Sequence, residues 1–258
     1  MQRYFVSKEQ LTEAGAFLTG EDAHHAARVM RMSEGDSFIV SDGTERTALV
    51  QVTEASPARV DAQLIEWLEM SSEPAWRVTI AQSLPKGDKM ELVIQKGTEI
   101  GACAFIPFES ERVVVQYDHK KEAKRLERWS KIAKEAAEQA HRNRIPSIEP
   151  VRSWRELTAS YPKYDLVLFC YEREGHESTG QGLGDVLREW KARETRPAEP
   201  SILLIVGSEG GFTEREAEEA VASGAVLVGL GRRILRTETA GLVGLTCLLY
   251  ESGEMGGA

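Results

Sequence analysis

The sequence has little of what secreted, membrane-spanning or zinc-binding proteins need. Its 258 residues contain only three cysteines, at Cys103, Cys170 and Cys247, which are widely separated and odd in number. Neither a disulfide framework nor a zinc site is therefore expected. No apolar run approaches the length that spans a bilayer, and the first residues lack the apolar segment of a signal peptide. We therefore expect a cytoplasmic protein that uses neither a membrane nor a metal.

Two signatures of nucleotide binding are also missing. The spacing G-x-G-x-x-G does not occur in the appropriate context, which disfavours a dinucleotide such as NAD. The pattern G-x-x-x-x-G-K-[ST] is absent as well, which excludes a P-loop. A hydrophobic content of 41% and a charged content of 28% are ordinary for a globular protein.

Positive charge is scarce overall but concentrated in one stretch. The net charge is −9, which disfavours a nucleic-acid partner because phosphate contacts dominate such binding. Between residues 112 and 155, however, twelve Lys and Arg stand against six Asp and Glu, so this stretch is +6 and the remainder is −15. Such asymmetry is typical of a face that binds a polyanion. A solvated helix with ion pairs between its own turns is the competing interpretation.

The pattern of the chain predicts two domains. Short alternating runs over 37–41, 45–53 and 58–67, with Asp42-Gly43 as a hairpin turn, predict a small β-barrel that also contains a helix over 22–32. The polar stretch 70–74 ends in Pro74 and predicts a linker. We therefore expect a barrel over 1–72 and a second domain over 73–258.

The second domain alternates strands and helices, which predicts the α/β class with a parallel sheet. Apolar strands are expected over 77–83, 103–108, 165–171, 202–206 and 225–230. Helices are expected over 88–100, 120–140, 184–192, 213–222 and 237–250.

Two glycine-bearing loops follow late strands of this domain. Residues 207–211 read Gly-Ser-Glu-Gly-Gly, and residues 230–240 read Leu-Gly-Arg-Arg-Ile-Leu-Arg-Thr-Glu-Thr-Ala before an apolar helix. Open α/β sheets bind ligands where backbone amides and helix N-termini converge at the carboxyl ends of strands. These loops predict a cofactor site. A plain turn capped by Thr213, and a structural pair between Arg236 and Glu238 or an N-cap at Thr237, remain alternatives.

These loops resemble the last two motifs of the SPOUT methyltransferases, and residues 230–240 resemble the RsmE type, which methylates N3 of a uridine in 16S ribosomal RNA. Three further stretches share the resemblance, which spans nearly the whole chain: residues 84–91 with 95–101, the pair Glu111-Arg112, and residues 138–139 with 142–146. It implies a PUA-like RNA-binding barrel, a trefoil-knotted α/β domain and a homodimer. Two positions depart from the family pattern, with Ser208 in place of Pro and His141 in place of Gly.

The resemblance also implies S-adenosylmethionine as the cofactor. The residues implied to bind it lie in the two loops and at an earlier strand end: Phe169, Cys170, Val206, Gly207, Glu209, Leu230, Gly231, Ile234, Leu235, Arg236 and Thr237. Removal of the uracil N3 proton spreads negative charge over the ring, and a guanidinium stabilises such charge. Arg236 is the candidate for that role. For the base, Glu238, Glu209, His141 and water all remain open, with Glu238 preferred.

Contact with 16S rRNA, in the context of the small ribosomal subunit, is assigned to six residues: Arg28, Arg31, Arg112, Arg142, Asn143 and Arg144. Arg and Asn side chains suit phosphates and base edges, although single surface arginines are more often only solvated. Two other functions stay open: an RNA-binding assembly factor without turnover, and a different α/β enzyme that binds a nucleotide at the same loops.

Overall fold

The computed structural model describes residues 1–44, 46–69, 72–115, 117–171 and 181–256. The chain divides into two compact units, one comprising Met1–Glu73 and Lys134–Ile145, the other Pro74–Ala133 and Pro146–Ala258. The segment Lys134–Ile145 lies inside the range expected for the α/β domain, yet it packs with the N-terminal unit. A single boundary therefore does not describe how the chain is divided.

The first unit is built on a six-stranded sheet. Its elements are β1 (Arg3–Phe5), β2 (Leu11–Thr12), β3 (Gly15–Thr19), α1 (Gly20–His24), β4 (Ser37–Ser41), β5 (Thr47–Ala55) and β6 (Arg59–Leu68). The strands lie in the order β1-β4-β5-β6-β3-β2, and all neighbours are antiparallel except β1 and β4. The expected hairpin is confirmed, since Ser41 pairs with Thr47 and Gly43 has a φ of +73°.

The helix of this unit differs from the one expected over 22–32. α1 begins at Gly20 and continues as a π-helix over His25–Val29, in which the Met30 amide donates to the carbonyl of His25. Arg31 then adopts a φ of +56°, a conformation that an L-residue cannot continue as a right-handed helix.

The second unit contains one parallel sheet of eight strands. These are β7 (Arg77–Ser83), β8 (Ala104–Glu109), β9 (Ser147–Ile148), β10 (Arg152–Ser153), β11 (Leu166–Cys170), β12 (Gln181–Gly182), β13 (Ser201–Val206) and β14 (Val226–Gly229). They lie in the order β10-β8-β7-β13-β11-β14-β12, with β9 also paired to β8. The helices are α2 (Lys89–Ile100), α3 (His119–Gln139), α4 (Trp154–Thr158), α5 (Leu183–Lys191), α6 (Glu214–Ala222) and α7 (Thr237–Ser252).

Helices cover both faces of the parallel sheet, because successive strand residues point to opposite sides. On one face, buried side chains of β7, β13 and β11 meet those of α2, α5 and α7. Two glycines allow close packing there. A Cβ at Gly244 of α7 would lie 2.8 Å from Leu204, and a Cβ at Gly97 of α2 would lie 2.8 Å from Phe105.

The opposite face carries an aromatic cluster beneath α4 and α6. It consists of Phe108, Trp154, Phe169 and Phe212. The rings of Phe169 and Phe212 have centroids 4.2 Å apart, and Trp154 donates from its indole nitrogen to Glu219 at 2.7 Å. The cluster fixes the chain just beyond residues 207–211, because Phe212 follows that loop directly.

Candidate functional site

The two glycine-bearing loops are joined by a buried hydrogen-bond network. The Thr237 hydroxyl, at the start of α7, donates to the carbonyl of Gly207, after β13, at 2.6 Å. Gln82 near the end of β7 donates from Nε2 to Thr237 Oγ1 at 2.9 Å and to the Gly207 carbonyl at 3.2 Å. Three chain segments at the carboxyl edge of the sheet therefore share one polar connection. The site predicted from the two loops comes together at that edge.

Glycine is required in both loops for different reasons. A Cβ at Gly207 would lie 3.1 Å from the Phe212 ring and 3.3 Å from the Cα of Gly211, so the loop folds too closely on itself for a side chain. Gly231 has open space where a Cβ would lie, but its φ of +118° is one that residues with a side chain rarely adopt. Glycine is therefore needed there for the backbone conformation. Both loops therefore present bare backbone, as a site that holds a ligand through main-chain groups must.

Two carboxylates and one ammonium lie beside this network. Lys89 Nζ, in the first turn of α2, is 2.8 Å from Glu209 Oε1 and 3.6 Å from Glu238 Oε2. The Lys86 amide also donates to Glu209 Oε1 at 3.1 Å. Burial alone would raise the pKa of Glu209, but hydrogen bonds from Lys89 and from backbone amides outweigh it, and the pKa is lowered. Glu209 is therefore ionised and held in place.

Arg236 is exposed at the N-cap position of α7, and it forms no ion pair within the described part of the chain. Its carbonyl accepts from the amides of Thr239 and Ala240. The alternative of a structural pair between Arg236 and Glu238 is wrong, because the ion partner of Glu238 is Lys89. Thr237 is not the N-cap either; it is the first helical residue, and its hydroxyl serves the loop after β13.

The remaining residues implied to bind the cofactor differ in what they expose. The side chains of Val206 and Phe169 are buried, so only their backbone is available to a ligand. Burial raises the pKa of the Cys170 thiol to about 12, which keeps it protonated and unreactive at neutral pH. Leu230 and Leu235 are half-buried, whereas Ile234 is 80% exposed, which is unusual for an apolar side chain of that size.

Two residues expected to contact RNA are buried instead. Arg142 is 4% exposed, and its Nη2 lies 2.6 Å from Glu73 Oε2. Asn143 is 1% exposed; its Nδ2 donates to Thr47 Oγ1 at 3.0 Å and its Oδ1 accepts from the Ser72 amide at 3.0 Å. Both side chains are therefore engaged within the first unit and are not exposed for the RNA contact that the sequence predicts. Their partners lie far away in sequence, so the local pattern gave no sign of them.

The neighbouring His141 explains one departure from the family pattern. Its φ is +56°, a left-handed conformation that glycine adopts most easily. The side chain is exposed, and burial of part of the imidazole together with the nearby Arg3 lowers its pKa. His141 lies in the first unit, whereas both glycine-bearing loops belong to the second. Nothing in either unit's own contacts supports it as the base.

The other four RNA candidates are exposed. Arg28, Arg31 and Arg144 belong to the first unit, and Arg112 to the second. Arg112 donates from Nη1 to the Gly210 carbonyl at 3.2 Å. It lines a cavity of about 190 Å³ with Lys86, Ser208 and Glu209, among others, directly beside the glycine loop.

The basic stretch 112–155 is partly neutralised by ion pairs. At least five of its cations pair with carboxylates: Arg125, Arg128, Lys134, Arg142 and Arg152. Most of these partners lie on other segments of the chain, such as Glu91 for both Arg125 and Arg128. The stretch is therefore no continuous cationic face, and individual exposed residues must carry any contact with phosphate.

Sequence reasoning assigned no role to Gln82 and Lys89. Gln82 is a polar residue inside an otherwise apolar strand, and an amide at such a position needs buried partners. Lys89 was noticed only as part of the stretch 84–101. Its partners follow it by 120 and 149 positions, so no local spacing could have revealed the pairing.

The described residues contain neither a candidate metal centre nor a candidate membrane-spanning helix. Across the residues that the structure describes, no group of three or more His, Cys, Asp or Glu is arranged to hold a metal ion. No helix in the same residues is long and apolar enough to cross a membrane.

Comparison with known proteins assigns the family. A family model described as an RNA methyltransferase domain matches residues 71–249, and one described as an RNA methyltransferase PUA domain matches residues 18–65. The ribosomal RNA small subunit methyltransferase E of Bacillus subtilis (strain 168) is 44% identical over 255 residues, which cover 98% of this chain and 97% of that protein. This chain belongs to the ribosomal RNA small subunit methyltransferase E family.

Two solved structures agree with this assignment. The family member from Neisseria gonorrhoeae bound to S-adenosyl methionine is 29% identical with a TM-score of 0.82, and 97% of each chain is covered. A methyltransferase from Legionella pneumophila in complex with its bound cofactor SAM is 28% identical with a TM-score of 0.81, and 96% of each chain is covered. The expected RsmE-type family, α/β class and PUA-type N-terminal segment are confirmed; the trefoil knot stays a prediction.

Proposed function

We propose that the protein transfers a methyl group from S-adenosylmethionine to N3 of a uridine in the 16S rRNA of the small ribosomal subunit. The observation that carries the proposal is the junction of two bare-backbone loops through Gly207, Thr237 and Gln82, with Arg236 and Glu238 at the same helix end. Relatives in this family are named for the ribosomal RNA of the small subunit, and the structure of one was solved with S-adenosyl methionine bound. The cytoplasm is the proposed site of action.

The residues present fit S-adenosylmethionine. Gly207, which has no room for a Cβ, and Gly231, which has a positive φ, leave main-chain groups open to an adenosine. Ile234 offers an exposed apolar side chain that an adenine ring would cover, which would relieve its contact with water. The Oγ of Ser208 is buried without a hydrogen-bond partner among the described residues, so a polar partner is still needed there. When bound, the cofactor supplies a methyl group already activated on a sulfonium.

The chain's own residues would prepare the uracil for transfer. Glu238 would take the N3 proton, leaving the electron pair of the broken N–H bond on the nitrogen that then bonds the methyl carbon. The pair of the broken carbon–sulfur bond stays on sulfur, and the proton passes from Glu238 to solvent. Arg236 would donate hydrogen bonds to the uracil oxygen on which charge develops. The N-terminus of α7 adds its own partial positive charge at the same position.

For the RNA we propose contacts in both units. In the first unit, Arg28 and Arg31 flank two exposed apolar residues, Val29 and Met30, a combination suited to phosphate contact beside base contact. Arg144 is the remaining candidate from the cluster 142–144. In the second unit, Arg112 lies at the small cavity beside the glycine loop. Arg142 and Asn143 are buried in the first unit and, in this proposal, do not touch the RNA.

We further propose that α7 mediates a homodimer. Its outer face carries Val243, Cys247 and Tyr250 at helical spacing, and the last is 62% exposed. An apolar face of this kind beside an equally apolar buried face fits an isologous interface. Sedimentation of the protein at micromolar concentration tests it: a dimer is expected, Tyr250→Glu should weaken it, and a 28.6 kDa species throughout would refute it.

The test of function is a methyl-transfer assay with labelled S-adenosylmethionine. The substrates are naked 16S rRNA and intact small subunits, both from a strain that lacks the enzyme, followed by mass mapping of the product. We expect a single 3-methyluridine. Equilibrium dialysis with labelled cofactor tests binding separately. Cofactor binding with methyl on another base atom would refute the target, and an absence of both binding and transfer would leave the RNA-binding assembly factor as the better function.

A further inference from the structure

Lys89 joins the two loops of the site through their carboxylates. Its Nζ lies 2.8 Å from Glu209 Oε1, in the loop after β13, and 3.6 Å from Glu238 Oε2, in the first turn of α7. The Lys89 side chain is 31% exposed, against 29% for Glu209 and 17% for Glu238. Three segments that are far apart in sequence therefore meet at one half-buried ammonium.

The two carboxylates depend on this ammonium unequally. Glu209 also accepts from the Lys86 amide, at 3.1 Å and 3.4 Å from its two oxygens. Glu238 Oε2 is buried and accepts no hydrogen bond among the described residues, so the ammonium 3.6 Å away is the charge that compensates it. A carboxylate removed from water without a counter-charge is strongly destabilised.

No other cation replaces Lys89 in this arrangement. Among the described residues, Glu238 forms its ion pair with Lys89 of α2, which also pairs with Glu209 in the loop after β13; Arg236 lies two residues before Glu238. Within the part of the chain that is described, Arg236 forms no ion pair with either carboxylate. Without Lys89, Glu209 and Glu238 would lie near each other with no shared counter-charge, and like charges in a half-buried site disfavour double ionisation.

We propose that Lys89 is a positioning residue for methyl transfer, which holds the Glu238 carboxylate in place while tying it to the cofactor loop through Glu209. This inference rests on the proposed function, in which Glu238 accepts the N3 proton. It adds that α2, a helix outside both glycine loops, sets the position of that acceptor. Lys89 itself touches neither the uracil nor the methyl group.

The test compares Lys89→Met with wild type in steady-state methylation at neutral pH. The substitution keeps the length of the side chain and removes its charge. We expect kcat to fall by about 10- to 100-fold, as for a misplaced catalytic group. The KM for RNA should stay within about twofold.

Three further variants make the outcome specific. Lys89→Arg restores the positive charge and should recover most of the lost kcat, whereas a role in side-chain packing alone would not require a cation. Lys96→Met is the matched control, because Lys96 lies on the same helix and, within the described residues, pairs with Glu99, at 2.7 Å; it should behave as wild type. In a Glu238→Gln background, Lys89→Met should add little further loss if it acts through Glu238.

Each failure has a separate meaning. If wild type makes no methylated product, the proposed function fails. If wild type is active and Lys89→Met keeps the wild-type kcat, the inference is overturned and the proposed function stands. The inference would also be overturned if Lys89→Met lowered only the melting temperature and not kcat. It would be overturned as well if Lys89→Met lowered kcat in the Glu238→Gln background by as much as it does in wild type.

Discussion

Replacing Thr237 with valine should loosen the two cofactor loops without opening a cavity. Valine has nearly the same shape, so the change removes the hydroxyl and little else. That hydroxyl donates to the Gly207 carbonyl at 2.6 Å and accepts from Gln82 Nε2 at 2.9 Å. The Gly207 carbonyl still accepts from Gln82 at 3.2 Å, and Gln82 still donates to the Ser83 carbonyl at 3.0 Å. Gln82 Oε1 already lacks a hydrogen-bond partner among the described residues, and the change leaves no further buried atom of this network unpaired.

The expected loss follows from those two bonds. At about 0.5–1.5 kcal/mol for each hydrogen bond, losing two of them lowers the free energy of unfolding by about 1–3 kcal/mol. The lower half of that range applies because the change leaves no additional buried polar atom unpaired. A loss of about 1–2 kcal/mol corresponds to a drop in Tm of about 3–6 °C for a protein of this size. If cofactor binding must supply the same free energy to order the loops, its Kd should rise by about 5- to 30-fold.

Thr246→Val is the matched control. Thr246 lies on the same helix, and its hydroxyl donates to the Leu242 carbonyl four residues earlier, at 2.8 Å, a bond local to α7. Its removal should change Tm by less than about 1 °C, as for a back-bond within a helix. Differential scanning calorimetry and titration calorimetry with S-adenosylmethionine measure both quantities. Equal Tm and Kd in the two variants would refute the reasoning that this network holds the site together.

Three further outcomes follow from the same structure. Arg236→Ala should melt as wild type, because its side chain is exposed, yet lose about 100- to 1000-fold in kcat, with little rescue by Arg236→Lys; near-normal methylation would remove its catalytic role. Arg142→Ala should lower the free energy of unfolding by about 3 kcal/mol because it removes a buried guanidinium and leaves the half-buried Glu73 without its counter-charge, whereas Arg144→Ala should leave stability unchanged and weaken RNA binding. Burial raises the pKa of Glu138 above its unfolded value, so its stability contribution is present at low pH and lost as pH rises through the folded pKa; Glu138→Gln should flatten that part of the stability profile, and the exposed Glu135→Gln should not.

The regular elements of the second unit were largely predictable from sequence. Strands predicted over 77–83 and 202–206 correspond to β7 and β13, because apolar runs buried on both faces leave an unambiguous pattern. The two-residue strands β9, β10 and β12 were not predicted, since pairs that short carry no periodicity. Their formation depends on a neighbouring strand supplied by the fold.

The candidate site divides in the same way. Its loops could be predicted because glycines at strand ends are a local signal, and Gly207 and Gly231 both satisfy a backbone requirement in the structure. The side chains that connect the loops could not, because the partners of Gln82 and Lys89 lie more than a hundred residues away. The same limit applies to Arg142, because its partner Glu73 lies 69 residues earlier.

The aromatic cluster beneath α4 and α6 gives the protein a native optical reporter. The ring centroids of Trp154 and Phe212 are 6.1 Å apart. The Phe212 ring also lies 3.1 Å from the position that a Cβ at Gly207 would occupy. A displacement of the loop after β13 must shift Phe212 and with it the surroundings of the Trp154 indole. The difference in emission between wild type and Trp154→Phe therefore records loop movement in real time, and stopped-flow mixing with the cofactor can follow it without any attached dye.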